Sequence, residues 1–160
     1  MELEAIAQKI GSELKARKLV LASAESCTGG WVGQVITSVP GSSLWYDCGF
    51  IPYTNQAKRE LLGVSTDVLV RFGAVSEQAA RAMAEGALAN SRAQVSLAIT
   101  GIAGPGGGSE DKPVGTVWFA WAGKNSETRT EHRQFDGDRT AVRGQAVAVA
   151  LLGLSEFIGG

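Results

Sequence analysis

The stretch from Leu19 to Val39 constrains this chain more than any other. Leu19-Val20-Leu21-Ala22 is an unbroken apolar run, the pattern of a strand buried on both faces. Trp31, Val32, Val35, Ile36 and Val39 recur at helical spacing. Between them stands Ala24-Glu25-Ser26-Cys27-Thr28-Gly29-Gly30. A strand over 19–24 therefore enters a tight turn that opens a helix running to about Val39. Glycines at a helix opening allow close approach to the backbone. The first N–H groups of the helix lack intrahelical partners. A hydroxyl placed there meets an environment that favours a phosphate or a developing oxyanion. Ser26 is the candidate centre of function. The same Ser-Cys-Thr run also fits an ordinary helix cap, because Ser and Thr are good N-caps.

The rest of the chain alternates in the same way. Leu3, Ile6, Ala7, Ile10 and Leu14 form a helical stripe over 2–17. A second strand is expected over 44–51, closed by Pro52. Thr54 or Asn55 then caps a short helix that carries Lys58. Ser65-Thr66-Asp67 starts another, and Ser76-Glu77 a longer one to about Asn90. The third strand covers 95–100 and runs into a glycine loop, Gly101 to Ser109. A fourth strand over 114–121 and a polar edge strand over 127–135 form a hairpin. Asp136-Gly137-Asp138-Arg139 opens a last helix, 139–157, apolar nearly all round from Val142 to Leu152 and so expected to be buried. This order predicts an α/β fold, a three-layer α/β/α sandwich on a mixed, mostly parallel sheet. In such sheets ligands lie beyond the carboxyl ends of strands. The Ser26 turn, the Tyr53–Lys58 segment and the Thr100–Gly108 loop should then share one edge.

Bulk properties exclude several classes. A chain of 160 residues with 44% apolar and 19% charged residues suits one domain, residues 1–160. A net charge of −1 gives no basic field for nucleic acid. No apolar run near ~20 residues is evident, so no membrane association is expected. The acidic N-terminus does not resemble a signal peptide. Cys27 and Cys48 suit reduced thiols and a cytoplasmic protein. With His132 as the one histidine, no metal cluster is expected, and no cofactor is called for.

A serine needs a base. His132 lies within the polar edge strand and reads as surface. Lys58 is the better candidate, since serine–lysine pairs are an established variant. A lysine must be neutral to accept a proton, which calls for burial or a neighbouring cation; its alternative is an ordinary solvated helix lysine. Tyr53 could orient either group through its hydroxyl. Cys27 is intrinsically more nucleophilic but should point elsewhere. Backbone groups of Cys27, Thr28 and Gly29 are placed to bind substrate, as is the loop at Thr100, Gly101 and Gly104, whose glycines can cradle an anion. Arg139 and Arg143 are spaced i, i+4. Arg139 suits either the carboxylates of Asp136 and Asp138 or a ligand phosphate.

Six segments then carry a resemblance: 24–30, Gly49 to Lys58, Gly73-Ala74-Val75-Ser76, Thr100 to Gly107, Lys112 to Val117, and Gly137-Asp138-Arg139. They look like the CinA C-terminal domain family, in the family's order and over most of the chain. The resemblance implies nicotinamide-nucleotide amidase activity, with nicotinamide mononucleotide as small-molecule substrate and nicotinate mononucleotide and ammonia as products. It implies a five-stranded mixed sheet and a serine–lysine site, here Ser26 and Lys58. The chain looks like the family's stand-alone form, and homo-oligomerisation is left open. Two rival readings remain: a nucleotide-binding or regulatory module without turnover, and a cysteine hydrolase acting through Cys27.

Overall fold

Odd-numbered and even-numbered residues of the central strands build two different layers. Leu21, Leu97, Ile99, Val117, Phe119 and Trp121 face one side of the sheet, and Ala22, Ala24, Ala98, Ala120 and Ala122 face the other. This is the period-two alternation of a strand, with both faces apolar because both are covered. The computed structural model describes residues 2–159. Its strands are β1 (Leu21–Glu25), β2 (Tyr46–Phe50), β3 (Val95–Gly101), β4 (Thr116–Gly123) and β5 (Ser126–Gln134). Its helices are α1 (Glu2–Ala16), α2 (Trp31–Thr37), α3 (Asn55–Leu62), α4 (Thr66–Phe72), α5 (Glu77–Ala89) and α6 (Arg139–Gly159).

The sheet order is β2-β1-β3-β4-β5. β1 pairs in parallel with β2 and β3, and β4 is antiparallel to β3 and β5. β4 alone therefore runs against the other four, which is the expected mixed three-layer α/β/α fold. Large side chains on the odd face pack against α1, α2 and α6. The alanine face lets α5 come close, through Ala80, Met83, Ala84 and Ala87. Gly86 has no Cβ because one there would lie inside contact distance of the Leu62 carbonyl.

Local chemistry sets the helix starts. Thr54, Ser65 and Ser76 accept hydrogen bonds from the backbone N–H groups of Ala57, Val68 and Ala79. Asp138 Oδ1 accepts from Ala141 N–H at the start of α6.

Two expectations are corrected. Leu44 does not begin a strand: Ser42–Leu44 form a 3-10 turn with Leu44 exposed, and pairing starts at Tyr46. The Pro40-Gly41 break reaches further into the apolar run than the run's hydrophobicity suggests. Nor is α6 buried all round. Val142, Ala146, Val147, Ala150, Leu151, Gly153 and Leu154 are buried, whereas Leu152 is exposed beside α1. By length and composition α6 is long and apolar enough to cross a membrane, which the sequence reading did not anticipate. Its buried face is seated on the sheet, where Trp121 Nε1 donates to the Ala150 carbonyl at 2.9 Å.

Candidate active site

β1, β2 and β3 end side by side, and the segments that follow them meet in a cavity of about 300 Å³. Its lining includes Ser26 and Cys27 after β1, Tyr53, Asn55 and Lys58 after β2, and Thr100 to Gly104 at and beyond the end of β3. The expected convergence on one sheet edge is observed. Arg139 reaches the rim from the start of α6.

Lys58 lies in the second turn of α3 and is 2% exposed. Its Nζ stands 3.0 Å from Ser26 Oγ and 3.0 Å from the Pro52 carbonyl oxygen. Burial lowers its pKa, against a smaller opposing effect of the Cys27 thiol. Nζ donates to both oxygens, which anchors the amine between the serine hydroxyl and the Pro52 carbonyl. Pro52 thus supplies an orienting carbonyl that the sequence reading did not assign.

Ser26 does not cap α2, and neither does Thr28. Thr28 Oγ1 donates to Glu25 at 2.6 Å. The Glu25 carboxyl group also accepts from Val32 N–H and Gly33 N–H, at 2.9 and 3.1 Å. So Glu25, 1% exposed at the end of β1, satisfies the first turn of the helix. The anion-favouring N–H groups expected from that helix are consumed by a residue of the same motif. Among the described residues the backbone N–H groups of Cys27 and Thr28 have no acceptor in another residue. Gly29 N–H is committed to the Ser26 carbonyl at 3.1 Å. Cys27 borders the cavity, whereas Thr28 and Gly29 lie outside its lining.

The Cys27 thiol is 6% exposed, and burial pushes its pKa up to about 11, opposed by a bond to its own backbone and by the guanidinium of Arg143. A thiol so disposed is a poor nucleophile at neutral pH.

Thr100 is 1% exposed, and its hydroxyl donates to the Ala74 carbonyl at 2.8 Å, tying the glycine loop to the α4–α5 link. A Cβ at Gly101 would meet Val117, Thr116 and the Cys27 sulfur, so the loop passes close behind the turn because it has none. Arg139 pairs with neither Asp136 nor Asp138. It donates to the Gly104 carbonyl at 2.8 Å and to Tyr53 Oη at 3.1 Å. Tyr53 is 57% exposed and is bonded to Arg139 rather than to Ser26 or Lys58. His132 is exposed on β5, its ring tilted against Trp118 at 5.0 Å between centroids, and it does not line the cavity. Among the described residues no group of His, Cys, Asp and Glu could hold a metal ion.

Three residues at or behind the site escaped the sequence reading. Asn55 opens α3 and lines the cavity. Glu25 was visible only as part of the motif. Arg143 was noted for spacing, yet it donates to the Cys27 and Thr28 carbonyls from α6. Its distance of 115 positions from Thr28 leaves no local signal.

A mixed-sheet α/β/α domain with a buried serine–lysine pair at its parallel strand ends is a small-molecule site in architecture. The model of the CinA C-terminal domain matches residues 3–158, and the chain belongs to that family. It is 52% identical over 150 residues to the nicotinamide-nucleotide amidohydrolase PncC of Escherichia coli K12, covering 94% of this chain and 91% of that one. It is also 52% identical over 141 residues to a CinA-like protein of Akkermansia muciniphila, 88% of this chain but 34% of that longer one. The crystal structure of a competence/damage inducible protein from Agrobacterium tumefaciens superposes with a TM-score of 0.96 at 44% identity, covering 100% of this chain and 97% of that one.

Proposed function

We infer that this chain hydrolyses the carboxamide of nicotinamide mononucleotide to nicotinate mononucleotide and ammonia. The observation that carries the reading is the buried Lys58 Nζ, 3.0 Å from Ser26 Oγ, both residues lining the cavity. The substrate comes from the relatives named as nicotinamide-nucleotide amidohydrolases. In the first step Ser26 Oγ attacks the carboxamide carbon while Lys58 takes the hydroxyl proton. A bond forms from Oγ to carbon, and the carbonyl oxygen becomes an oxyanion facing the Cys27 N–H. The carbon–nitrogen bond then breaks, and Lys58 returns the proton to the departing ammonia. Water then attacks the acyl carbon while giving a proton to Lys58, the carbon–Oγ bond breaks, and Lys58 returns that proton to Ser26 Oγ. The Tyr53–Arg139 pair at the rim suits the phosphate, since a guanidinium with N–H groups to spare binds a phosphate in a fork.

The test is ammonia release from nicotinamide mononucleotide and from the riboside that lacks the phosphate. Release from the mononucleotide, with a much weaker rate on the riboside, supports the reading. A protein that binds the mononucleotide without releasing ammonia is a binding module, and the reading fails.

A further inference from the structure

Arg143 lies one turn after Arg139 on α6, but it points behind the Ser26 turn rather than into the cavity. Its Nε donates to the Cys27 carbonyl at 2.9 Å, and one terminal nitrogen donates to the Thr28 carbonyl at 3.1 Å. The guanidinium carbon sits 5.6 Å from the centre of the Trp31 ring. Two glycines border this arrangement, and the absence of a Cβ at Gly144 eases the seating of Trp31. A Cβ at Gly29, whose φ is +60°, would lie 3.4 Å from the guanidinium. One at Gly144 would lie 3.3 Å from Trp31. The packing is therefore built around this side chain from three elements.

We propose that Arg143 is a positioning residue for the reaction: by holding the Cys27 and Thr28 carbonyls behind the Ser26 turn, it keeps the Cys27 carbonyl oxygen away from the site of the oxyanion. In a trans peptide the carbonyl of one residue and the N–H of the next point in opposite directions. Anchoring the Cys27 carbonyl therefore sets where Thr28 N–H points. The Ser26 carbonyl is anchored in turn by Gly29 N–H, which sets Cys27 N–H. Without Arg143 the Cys27 carbonyl loses the one donor it has among the described residues, and the peptide is free to rotate that oxygen toward the cavity. A carbonyl there would repel the charge that develops on the substrate. The guanidinium stands over the Trp31 ring, and its positive charge stabilises negative charge developing at the turn. Arg143 touches no cavity surface, so its effect falls on the transition state more than on ground-state binding.

This inference rests on the serine reading above. Arg143→Met, Arg143→Lys and Arg143→Ala are compared with the wild type by ammonia release and by the rate at which a fluorophosphonate labels Ser26. That labelling also forms an oxyanion at the turn. For Arg143→Met the expected result is a fall of about 10–100-fold in kcat, with KM within about twofold. Labelling should slow in parallel. Arg143→Lys should lie between, and guanidinium ion should restore part of the rate to Arg143→Ala. Unchanged kcat and labelling in a folded Arg143→Met variant would overturn the proposal. So would equal losses in all three variants with no response to guanidinium, which is the signature of general unfolding. If the wild type labels at Ser26 but releases no ammonia from the mononucleotide, the substrate reading fails and the labelling rates still decide the role of Arg143. If Ser26 does not label, both fall.

Discussion

Lys58 Nζ is held between the Ser26 hydroxyl and the Pro52 carbonyl, 3.0 Å from each, in a pocket that leaves lysine 2% exposed. A charged ammonium can be hydrogen-bonded there, but burial disfavours its charge and lowers its pKa. The pair is reached from two separate strand ends, so the geometry depends on the sheet and not on local sequence.

Ser26→Ala should abolish amide hydrolysis, by about 10³-fold or more in kcat, while the far-UV spectrum stays native. Cys27→Ala should keep substantial activity, because its thiol is buried with a pKa near 11. Steady-state ammonia release from both variants checks this. Activity in Ser26→Ala together with loss in Cys27→Ala would transfer the chemistry to the thiol.

Arg139→Ala should act mainly on KM. The guanidinium already spans Gly104 and Tyr53 at the rim and stands clear of the Ser26–Lys58 pair. A rise of about 10-fold or more in KM with kcat within a few-fold is expected. Tyr53→Phe, which removes one of the two bonds that hold Arg139, should show the same pattern more weakly. A loss confined to kcat in either variant contradicts the binding role.

Gly86→Ala tests the packing of α5 rather than the site. Its new Cβ meets the Leu62 carbonyl, a backbone group that cannot swing aside. The expected loss is about 1–3 kcal/mol, with a Tm drop of roughly 2–4 °C for each kcal/mol. Thermal unfolding that matches the wild type would show that α3 and α5 are less tightly docked than described.

The stability of the protein should depend on Lys58 in a defined direction. Its folded pKa lies below its unfolded value of 10.5, so between the two the unfolded chain binds more protons. Stability contributed at this position therefore increases as pH rises through that window. Denaturant unfolding should show wild type gaining on Lys58→Met as pH approaches 10.5 from neutrality. A gap that stays constant over this range would mean that Lys58 is not buried as a neutral amine.

Much of this architecture is legible in the chain itself. The order of helices and strands follows from apolar periodicity and from caps such as Ser65 and Ser76. The meeting of three loops follows from the parallel order of β1, β2 and β3. Ser26, Lys58 and Arg139 stand out because each lies just beyond a strand or at a helix start. What escaped is set by tertiary contact. The capping role of Glu25 depends on its strand ending beneath α2. The bond from Arg139 to Tyr53 spans 86 positions, and no local pattern favours it over the nearby aspartates. The exposed side of α6 was misread because apolar composition does not say which faces find a partner. Leu44 was misread because Pro40-Gly41 drives a 3-10 turn that apolar content cannot reveal.

The most direct test of the serine–lysine pair is the pH dependence of kcat/KM for the wild type and Lys58→Arg. A base must be neutral, so activity is present above the Lys58 pKa and lost as pH falls through it. The wild-type profile should rise with pH through an apparent pKa below the ordinary 10.5 of lysine. Lys58→Arg should be nearly inactive at every pH, since guanidinium keeps its proton. An active Lys58→Arg protein with the wild-type profile would contradict the assignment, because some other group would then be taking the serine proton.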